Sequence, residues 1–549
     1  MEPQINTDEH EWESQASHRS GALWFSEVRL APILQRKGFD SDRSWAGNIC
    51  VHFVHLWFPG LTAQAIHPDH ARMSKPSLLY IFTDQQRADT LACYGNDYID
   101  MPALNGLADR SFVFDNAYVS QPVCSPSRAT MLCGLYPHTA RVPACNVPLP
   151  EEVQTIAEMV DPDCRRHYLG KWHLGDEIFA QHGFTEWTGS EDSYRPFFSS
   201  PDKHEHVSPY NQFLIDNGVE PNSESFGKHI HTRHLEASQA APLTKAAFLG
   251  DRAADFIQDV GDERFVMCVS YLEPHPPHTG PYNDLYDPAS LPVGPHFRRK
   301  PPENASVLNR VMAAYYSESL EYGLDLRTDE GWRAVRARYF GNCTLIDQSI
   351  DVILNSLAET GRDKDTIVVF TSDHGEMVGD HGMLGKTVLY EESVRVPMII
   401  SVPGKTDRTH IFGNFSHIDL VPTLLDLMGE PIPNHLEGVT RTDVLNGDGS
   451  LADNDVFIEW NGADGHPRAG EAELNPEMAR QWRSVITADR WKLNLSSLDT
   501  CELYDLNTDP YEQTNRIDEP DLQDRVSDMT GRIRAWQESV GDTAPIEQQ

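Results

Sequence analysis

The sequence predicts an α/β protein: a large α/β/α sandwich with a central, mostly parallel sheet, and a smaller C-terminal subdomain. Short apolar segments at residues 78–82, 265–269 and 366–370 each end abruptly in polar residues, and helical patterns lie between them. Beyond about Pro433 the segments become shorter and alternate in polarity. That change indicates a small antiparallel sheet in the C-terminal subdomain.

Each apolar segment has the pattern of a buried strand that delivers polar side chains at its C-terminal end. Residues 83–87 (TDQQR) follow the first segment, residues 273–275 (EPH) the second and residues 372–375 (SDHG) the third. Ligands of open α/β sheets bind beyond the carboxyl ends of the parallel strands. We therefore expect these distant groups to converge at one site.

Residues 344–357 (TLIDQSIDVILNSL) have the helical period. Their isoleucines and the final leucine recur at i, i+4, i+7 and i+11, while the polar residues fall on other faces. This pattern predicts a helix packed on the sheet. Strands of the C-terminal subdomain are predicted at residues 455–460, 483–487 and 491–495.

These patterns divide the chain into three parts. Residues 1–72 are predicted to be a disordered or non-native leader, residues 73–432 a catalytic domain, and residues 433–549 a subdomain with a small antiparallel sheet and a terminal helix. Met73 directly precedes the first strand and is the expected natural start. The apolar stretch at residues 46–65 is too short and too polar for a confident membrane span.

Composition excludes several classes of function. The formal net charge of −38 describes an acidic surface that repels nucleic acid and anionic lipid, so neither is expected as a partner. The nine cysteines are scattered and include no C-x-x-C pair, which favours a reducing compartment. A cytoplasmic location is therefore favoured. Residues 62–65 (TAQA) resemble a signal-cleavage site and leave a periplasmic or secreted location open.

The most informative string is CSPSRATMLCG, at residues 124–134. Ser125 and Pro126 suit a helix N-cap and first turn, which would place Cys124 where helix N–H groups favour an anion. Arg128, at i+4, falls on the same helix face and could hold a negative group there. A buried structural cysteine is the alternative for such a string standing alone.

The string does not stand alone. C-x-P-x-R at this spacing resembles the signature of the formylglycine-dependent (type I) sulfatases of the alkaline phosphatase superfamily, in which the cysteine is oxidised to formylglycine (3-oxoalanine). Cys133 stands where that family usually has serine or threonine. Further strings that resemble family motifs are residues 83–87, 170–175 (GKWHLG), 274–276 (PHP), 372–376 (SDHGE), Lys386 and 502–506 (ELYDL). The resemblance implies an alkaline-phosphatase-like fold and a sulfuric ester hydrolase.

The resemblance also implies one bound divalent metal ion. Its ligands would be Asp84, Gln85, Asp373, His374 and the modified Cys124. Carboxylate and amide oxygens suit Ca²⁺ or Mg²⁺, and Ca²⁺ is the expected ion. Many relatives carry aspartate at the position of Gln85, and an imidazole tolerates Mn²⁺ better than it suits Ca²⁺, so Mg²⁺ and Mn²⁺ stay open.

The catalytic residues that the resemblance implies are Cys124, Arg128, Lys171, His173, His275 and Lys386. In the implied mechanism, a hydroxyl of hydrated formylglycine 124 loses its proton to Asp373 and attacks sulfur. His275 then protonates the leaving alcohol, whose bridging oxygen Lys386 contacts. Finally the second hydroxyl loses a proton to His173, and sulfate is expelled as the aldehyde re-forms.

Two other functions stay open at this stage. A phosphonate monoester or phosphodiester hydrolase of the same superfamily would use similar residues, because sulfate and phosphate esters share their shape. A non-catalytic metal-binding scaffold is less well supported, since the motif residues are all present. The expected partners are a sulfated small molecule or saccharide and a formylglycine-generating maturation enzyme. Specificity is expected from loops such as residues 201–243 and from the C-terminal subdomain, and His381 is a weaker candidate for substrate contact.

Overall fold

The computed structural model describes residues 75–462 and 475–546, so the predicted leader at residues 1–72 lies outside the described residues. The strands are β1 (Ser77–Asp84), β2 (Phe112–Tyr118), β3 (Arg165–Gly170), β4 (Glu186–Gly189), β5 (Ser223–Ser225), β6 (Lys228–Ile230), β7 (Phe265–Pro274), β8 (Leu320–Glu321), β9 (Leu324–Asp325), β10 (Thr366–Ser372), β11 (Arg395–Val396), β12 (Met398–Ser401), β13 (Thr409–Ser416), β14 (Val456–Trp460), β15 (Trp482–Ile486), β16 (Trp491–Leu495) and β17 (Glu502–Asp505).

The α-helices occupy the segments between the strands. They are α1 (Pro102–Ala108), α2 (Cys124–Cys133), α3 (Pro137–Ala140), α4 (Ile156–Met159), α5 (Pro209–Asp216), α6 (Arg233–Ala237), α7 (Lys245–Asp259), α8 (Val307–Tyr316), α9 (Asp329–Thr360), α10 (Glu391–Val394), α11 (Leu420–Leu427), α12 (Thr442–Asn446), α13 (Asn475–Met478) and α14 (Gln523–Val540). No helix among the described residues is long and apolar enough to cross a membrane.

A nine-stranded sheet forms the centre of the protein. Its order is β11-β2-β12-β10-β1-β7-β3-β4, and β13 also pairs with β2. Strands β10, β1, β7, β3 and β4 are parallel to one another, whereas β12 and β11 are antiparallel to their neighbours. Every residue of β1 is buried, so both faces of the sheet are covered. The predicted α/β sandwich is confirmed.

Helix α9 includes the helical pattern found at residues 344–357. Its apolar stripe, represented by Ile346, Ile350 and Ile353, is fully buried. Helices α7 and α9 pack against each other, and both contact β7. The stripe therefore faces the sheet as the 3.6-residue period predicts.

The three apolar segments that end in polar residues are adjacent strands. β1 lies between β10 and β7 and is parallel to both. The register pairs Thr83 with Ser372 and Asp84 with Pro274. Asp84, Asp373 and His275 consequently emerge at the same edge of the sheet, as predicted.

The C-terminal strands form a separate antiparallel sheet in the order β14-β15-β16-β17. Helix α14 packs on β15 and β16, and Met529 and Ile533 join Val485 and Leu493 in a small hydrophobic core. The predicted antiparallel sheet and terminal helix are therefore present.

Buried polar contacts join this sheet to the large one. The backbone N–H of Glu459 donates to the carbonyl of Ser120 at 2.8 Å. Lys492 Nζ lies 3.2 Å from Glu391 and 2.8 Å from Glu512, and all three side chains are buried. A buried ammonium group needs such partners, so these contacts hold the two sheets in a defined relation.

The backbone at the end of β3 tolerates only glycine. Gly170 has φ +95°, and a Cβ there would lie 1.9 Å from the carbonyl oxygen of Ser270. We predict that Gly170→Ala lowers the free energy of unfolding by more than about 4 kcal/mol, because neither backbone can move without breaking the β3–β7 pairing.

The matched control is Gly106→Ala in the exposed face of α1, where an added Cβ meets nothing within 4 Å. It should stabilise the protein by about 0.5–1 kcal/mol, since alanine favours the helix. Urea denaturation of the two variants measures both changes, and a similar midpoint for both would contradict the prediction.

Candidate active site

Cys124 is the first residue of α2. Val123 is the N-cap and makes no side-chain cap, so the N-cap predicted at Ser125 is wrong. Ser125 Oγ instead donates to the carbonyl of His173 at 2.7 Å and accepts from the N–H of Asn146 at 3.1 Å. Cys124 still lies in the first helical turn, where the orphan N–H groups favour a negative charge.

Four buried side chains meet at the sheet edge. One ligand atom each of Asp84, Cys124, Asp373 and His374 lies within 4.8 Å of the others. Cys124 Sγ is 3.3 Å from His374 Nε2 and 3.7 Å from Asp84 Oδ1. His374 Nδ1 lies 3.0 Å from the carbonyl of Gly375 and donates to it, so Nε2 is the ring nitrogen that faces the cluster. Burial opposes the imidazolium form of His374, but the Asp373 carboxylate raises its pKa. Two carboxylates and an imidazole nitrogen fit a divalent cation, which would displace any proton from Nε2.

The outer oxygens of the two carboxylates contact fixed cations. Asp84 Oδ2 lies 2.6 Å from Lys171 Nζ and 3.0 Å from an Arg128 guanidinium nitrogen, and Asp373 Oδ2 lies 2.8 Å from Arg128 Nε. Arg128 also donates to the carbonyl of Lys171 and to Ser270 Oγ. The negative groups that Arg128 holds are therefore these carboxylates, each with its other oxygen turned toward Cys124 and His374.

The cations affect the two carboxyl groups unequally. Burial and the Cys124 thiol oppose ionisation of Asp84, but Lys171 and the other nearby cations hold its pKa well below the usual range. Burial and the neighbouring charge of Asp84 raise the pKa of Asp373 to about 6, although Arg128 opposes this shift. Asp84 is thus a fixed anion, and Asp373 is the better proton acceptor of the pair.

Gln85 and Lys386 lie beside this cluster. Lys386 Nζ donates to Gln85 Oε1 at 2.6 Å, and the amide nitrogen of Gln85 donates to buried Glu376. The backbone N–H of Gln85, which has φ +74°, donates to Asp373 Oδ1 at 3.0 Å. The predicted metal role of the Gln85 side chain stays a prediction, because its oxygen contacts Lys386 here.

The two histidines predicted to move protons are neutral in this structure. Burial, assisted by Lys171, lowers the pKa of His173 to about 3, and burial, assisted by Lys386, lowers the pKa of His275 to about 3. His275 Nδ1 donates to the carbonyl of Pro276 at 2.7 Å, so its Nε2 carries a lone pair. Both histidines lie near Cys124, and the neutral form suits the proton-accepting role predicted for His173. The acid role of His275 stays a prediction.

Sequence reasoning missed a second thiol at the site. Cys145 Sγ, Cys124 Sγ and a ring nitrogen of His173 lie within 4.8 Å of one another. A hydrogen bond from Cys145, together with Lys171, lowers the pKa of Cys124 well below its usual range. The adjacent Asn146, with φ +61°, places its Oδ1 2.8 Å from His173 Nε2.

Comparison with known proteins identifies the family. The Sulfatase family model matches residues 76–430, and the model described as N-sulphoglucosamine sulphohydrolase, C-terminal, matches residues 379–539. The chain is 27% identical over 477 residues to an ulvan-active sulfatase of Formosa agariphila. The alignment covers 85% of this chain and 82% of that protein.

Solved structures share the fold. A phosphonate monoester hydrolase from Silicibacter pomeroyi superposes with a TM-score of 0.70 at 24% identity, covering 84% of this chain and 95% of that one. A protein solved in complex with its substrate D-glucosamine-2-N,6-O-disulfate superposes with a TM-score of 0.67 at 19% identity, covering 87% and 100%. These likenesses confirm the predicted alkaline-phosphatase-like fold.

The donor set predicts tight divalent binding. We expect Asp84→Asn and Asp373→Asn each to weaken Ca²⁺ binding by at least about 100-fold, because losing even a partner of a metal ligand costs about 10- to 100-fold. Calorimetric titration of the chelator-treated protein measures the change.

The control is Asp347→Asn, a buried acid that accepts hydrogen bonds from the N-terminus of α1 and lies outside the cluster. It should leave the affinity unchanged. Equal affinities for all variants would remove the cluster as the metal site.

Proposed function

The chain belongs to the sulfatase family, as its motifs predicted, and we propose that it hydrolyses a sulfate monoester of a carbohydrate. The observation that carries this proposal is the position of Cys124 between two ionised carboxylates and two buried lysines. A relative named as an ulvan-active sulfatase, and a structural neighbour solved with its substrate D-glucosamine-2-N,6-O-disulfate, support a saccharide as the substrate class.

Sulfatases in general use a divalent metal and a formylglycine, and the residues here fit both. We propose Ca²⁺ as the ion, with Mg²⁺ or Mn²⁺ as alternatives, and formylglycine at position 124. The cation would supply Lewis acidity, and formylglycine a hydrated aldehyde as nucleophile. Asp84, Asp373 and His374 would hold the ion, and Gln85 would complete the set. A formylglycine-generating enzyme is the expected maturation partner.

The chain's own residues would prepare and stabilise the reaction. Asp373 would accept the proton of the nucleophile at position 124, since its pKa of about 6 is nearer to neutrality than that of Asp84. Lys171 and Lys386 would place fixed positive charge beside the sulfate group as its bridging oxygen becomes negative. Both lysines are buried, so their charges act in a low dielectric where they count for more.

His275 and His173 would handle the remaining protons. A bound sulfate ester brings negative charge beside His275 and favours its imidazolium form, which could then protonate the leaving alcohol. His173, held by Asn146 and stacked on Tyr194 at 4.0 Å, would accept the proton that releases sulfate. Neutral imidazole in the ligand-free protein suits His173, because a base must begin unprotonated.

The function is tested by turnover of a substrate panel. Sulfated mono- and oligosaccharides should be hydrolysed faster than choline sulfate, and phenylphosphonate monoester should be a poor substrate. Cys124→Ala should lower turnover by at least about 1000-fold, because the variant lacks the side chain from which formylglycine would be made, and the neighbouring Cys145 thiol has no second hydroxyl with which to expel sulfate. Mass spectrometry of the active enzyme should show the Cys124 peptide lighter by the change from thiol to aldehyde.

The matched control is Cys133→Ser in the same helix, which is buried away from the cluster and should keep its activity. Full activity with an unmodified Cys124 thiol would contradict the mechanism. Preference for phenylphosphonate monoester would replace sulfate with phosphonate as the substrate class.

The role of His275 predicts a dependence on the leaving group. His275→Ala should lower kcat/KM for a sugar sulfate by about 10²- to 10⁴-fold, because an alkoxide is a poor leaving group without protonation. Turnover of 4-nitrophenyl sulfate should fall far less, since a nitrophenolate leaves unassisted. His410→Ala, at a partly exposed histidine paired with Asp115, serves as the control. Equal losses for both substrates would assign His275 to another role.

A further inference from the structure

A second group of metal-binding residue types lies outside the active site. One ligand atom each of His296, His381 and Glu392 lies within 4.8 Å of the others. His296 Nε2 is 2.9 Å from Glu392 Oε1 and 3.3 Å from Asp380 Oδ2, so Asp380 borders this group through its contact with His296. We call these four residues the second cluster.

Backbone hydrogen bonds hold the second cluster together from three distant segments. The N–H of His381 donates to the carbonyl of His296 at 2.9 Å, and the N–H of Arg298 donates to the carbonyl of Gly379 at 2.7 Å. Glu392 is joined through its own carbonyl, which accepts from the N–H of Glu376 at 2.8 Å. The donors are therefore fixed before any ligand binds, as a metal site requires.

The two imidazole rings are also fixed. His381 stacks on Tyr390 with ring centroids 3.9 Å apart and planes at 7°, and His296 stacks on Tyr511 at 4.5 Å and 26°. His381 has φ +54°, a strained conformation for a residue other than glycine. A strained backbone of this kind persists only where the surrounding contacts hold it in place. His381 therefore differs from a surface histidine that is free to relax.

The cluster contains an unusual concentration of unsatisfied polar atoms. His381 Nε2, Asp380 Oδ1, Glu392 Oε2 and His296 Nδ1 are all buried without a hydrogen-bond partner among the described residues. His381 and Asp380 are 2% and 1% exposed. An orphaned buried acceptor costs about 1–3 kcal/mol, so several in one place indicate a ligand that satisfies them.

The charges of the acceptors favour a cation as that ligand. Asp380 Oδ2 is already paired with Arg87 at 2.8 Å, but its other oxygen has no partner. Glu392 likewise has one oxygen on His296 and one free. His381 Nε2 has no hydrogen-bond partner among the described residues, so this ring nitrogen is available to a ligand. A divalent cation would satisfy carboxylates and imidazoles together.

We propose that His296, His381 and Glu392, with Asp380 beside them, form a second divalent-cation site, distinct from the one proposed at Cys124. Two imidazoles with two carboxylates suit Zn²⁺ or Mn²⁺ better than Ca²⁺, which prefers oxygen ligands alone. An adjoining cavity of about 450 Å³, lined in part by His296, Asp380 and Glu392, provides the entry path.

The position of this site suggests its role. The segment from Asp373 to Lys386 begins with two predicted ligands of the catalytic metal and ends with the lysine that contacts Gln85. Asp380 and His381 lie in the middle of that segment. A cation there would tie the segment to His296 and α10 and so hold both of its ends in position, as a structural metal site does.

Metal stoichiometry tests the proposal independently of the catalytic site. The chelator-treated full-length protein is dialysed against Zn²⁺ alone, and bound metal is counted by mass spectrometry. Wild type should hold two equivalents, and the double variant His381→Gln with Glu392→Gln should hold one. Asp373→Asn should also hold one, because it lacks the other site. His410→Gln, at a histidine outside both sites, should hold two.

If wild type and the double variant both bind one equivalent, the second site is overturned. The cluster would then hold a proton on His296 instead of a metal ion. Burial opposes that proton, but Asp380 and Glu392 raise the pKa of His296 to about 9. One equivalent that survives Asp373→Asn and is lost in the double variant would support the second site and count against the catalytic one.

Anomalous scattering from Zn²⁺-soaked wild-type crystals provides a reading that does not depend on any variant folding. A peak at about 2.0–2.1 Å from a His381 nitrogen would support the site. Its absence, with a peak at Cys124, would overturn it.

Discussion

The contacts among Arg128, Lys171, Asp84 and Asp373 are the constraint on which the rest of the structure depends. All four side chains are fully buried. A buried carboxylate without a partner costs several kcal/mol, so neither aspartate could remain ionised at the sheet edge alone. Each uses one oxygen for these cations, and the other is left to face Cys124 and His374. The pairing with Arg128 and Lys171 thus stabilises two buried carboxylates and orients their remaining oxygens as acceptors.

The same contacts explain why the elements are arranged as they are. Arg128 lies one helical turn after Cys124, so the helix that presents the nucleophile also carries the guanidinium that fixes both carboxylates. Lys171 follows Gly170, whose backbone approaches Ser270 too closely for any side chain. The N-terminus of α2 adds its own positive field at Cys124. Position and electrostatics of the nucleophile are therefore set by one group of contacts.

The sheet and the convergence of polar groups at its edge could be predicted from the sequence because their signal is local. A buried strand is a contiguous apolar run, and Asp84 and Asp373 lie just beyond such runs. The addition of Cys124 and His374 to the cluster came from the resemblance of their motifs to the family's. Cys145 could not be predicted, because its contact with Cys124 depends on a loop that folds back over α2. Ser125 was misassigned for a similar reason: its hydroxyl bonds to the distant His173 carbonyl rather than to its own helix. Pairwise contacts between loops leave no periodic trace in a sequence.

Gln85 shows how one amide can combine its predicted metal role with a contact to Lys386 that the structure adds. Its nitrogen donates to Glu376, which determines that the oxygen faces Lys386. An amide oxygen has two lone pairs, so it can accept from Lys386 and still turn one lone pair toward a cation. An aspartate at this position would place a full negative charge beside Lys386 and hold its ammonium group more tightly. The neutral amide leaves more of the lysine's charge available to a sulfate oxygen, so the glutamine strengthens the lysine's proposed role while weakening the field at the metal.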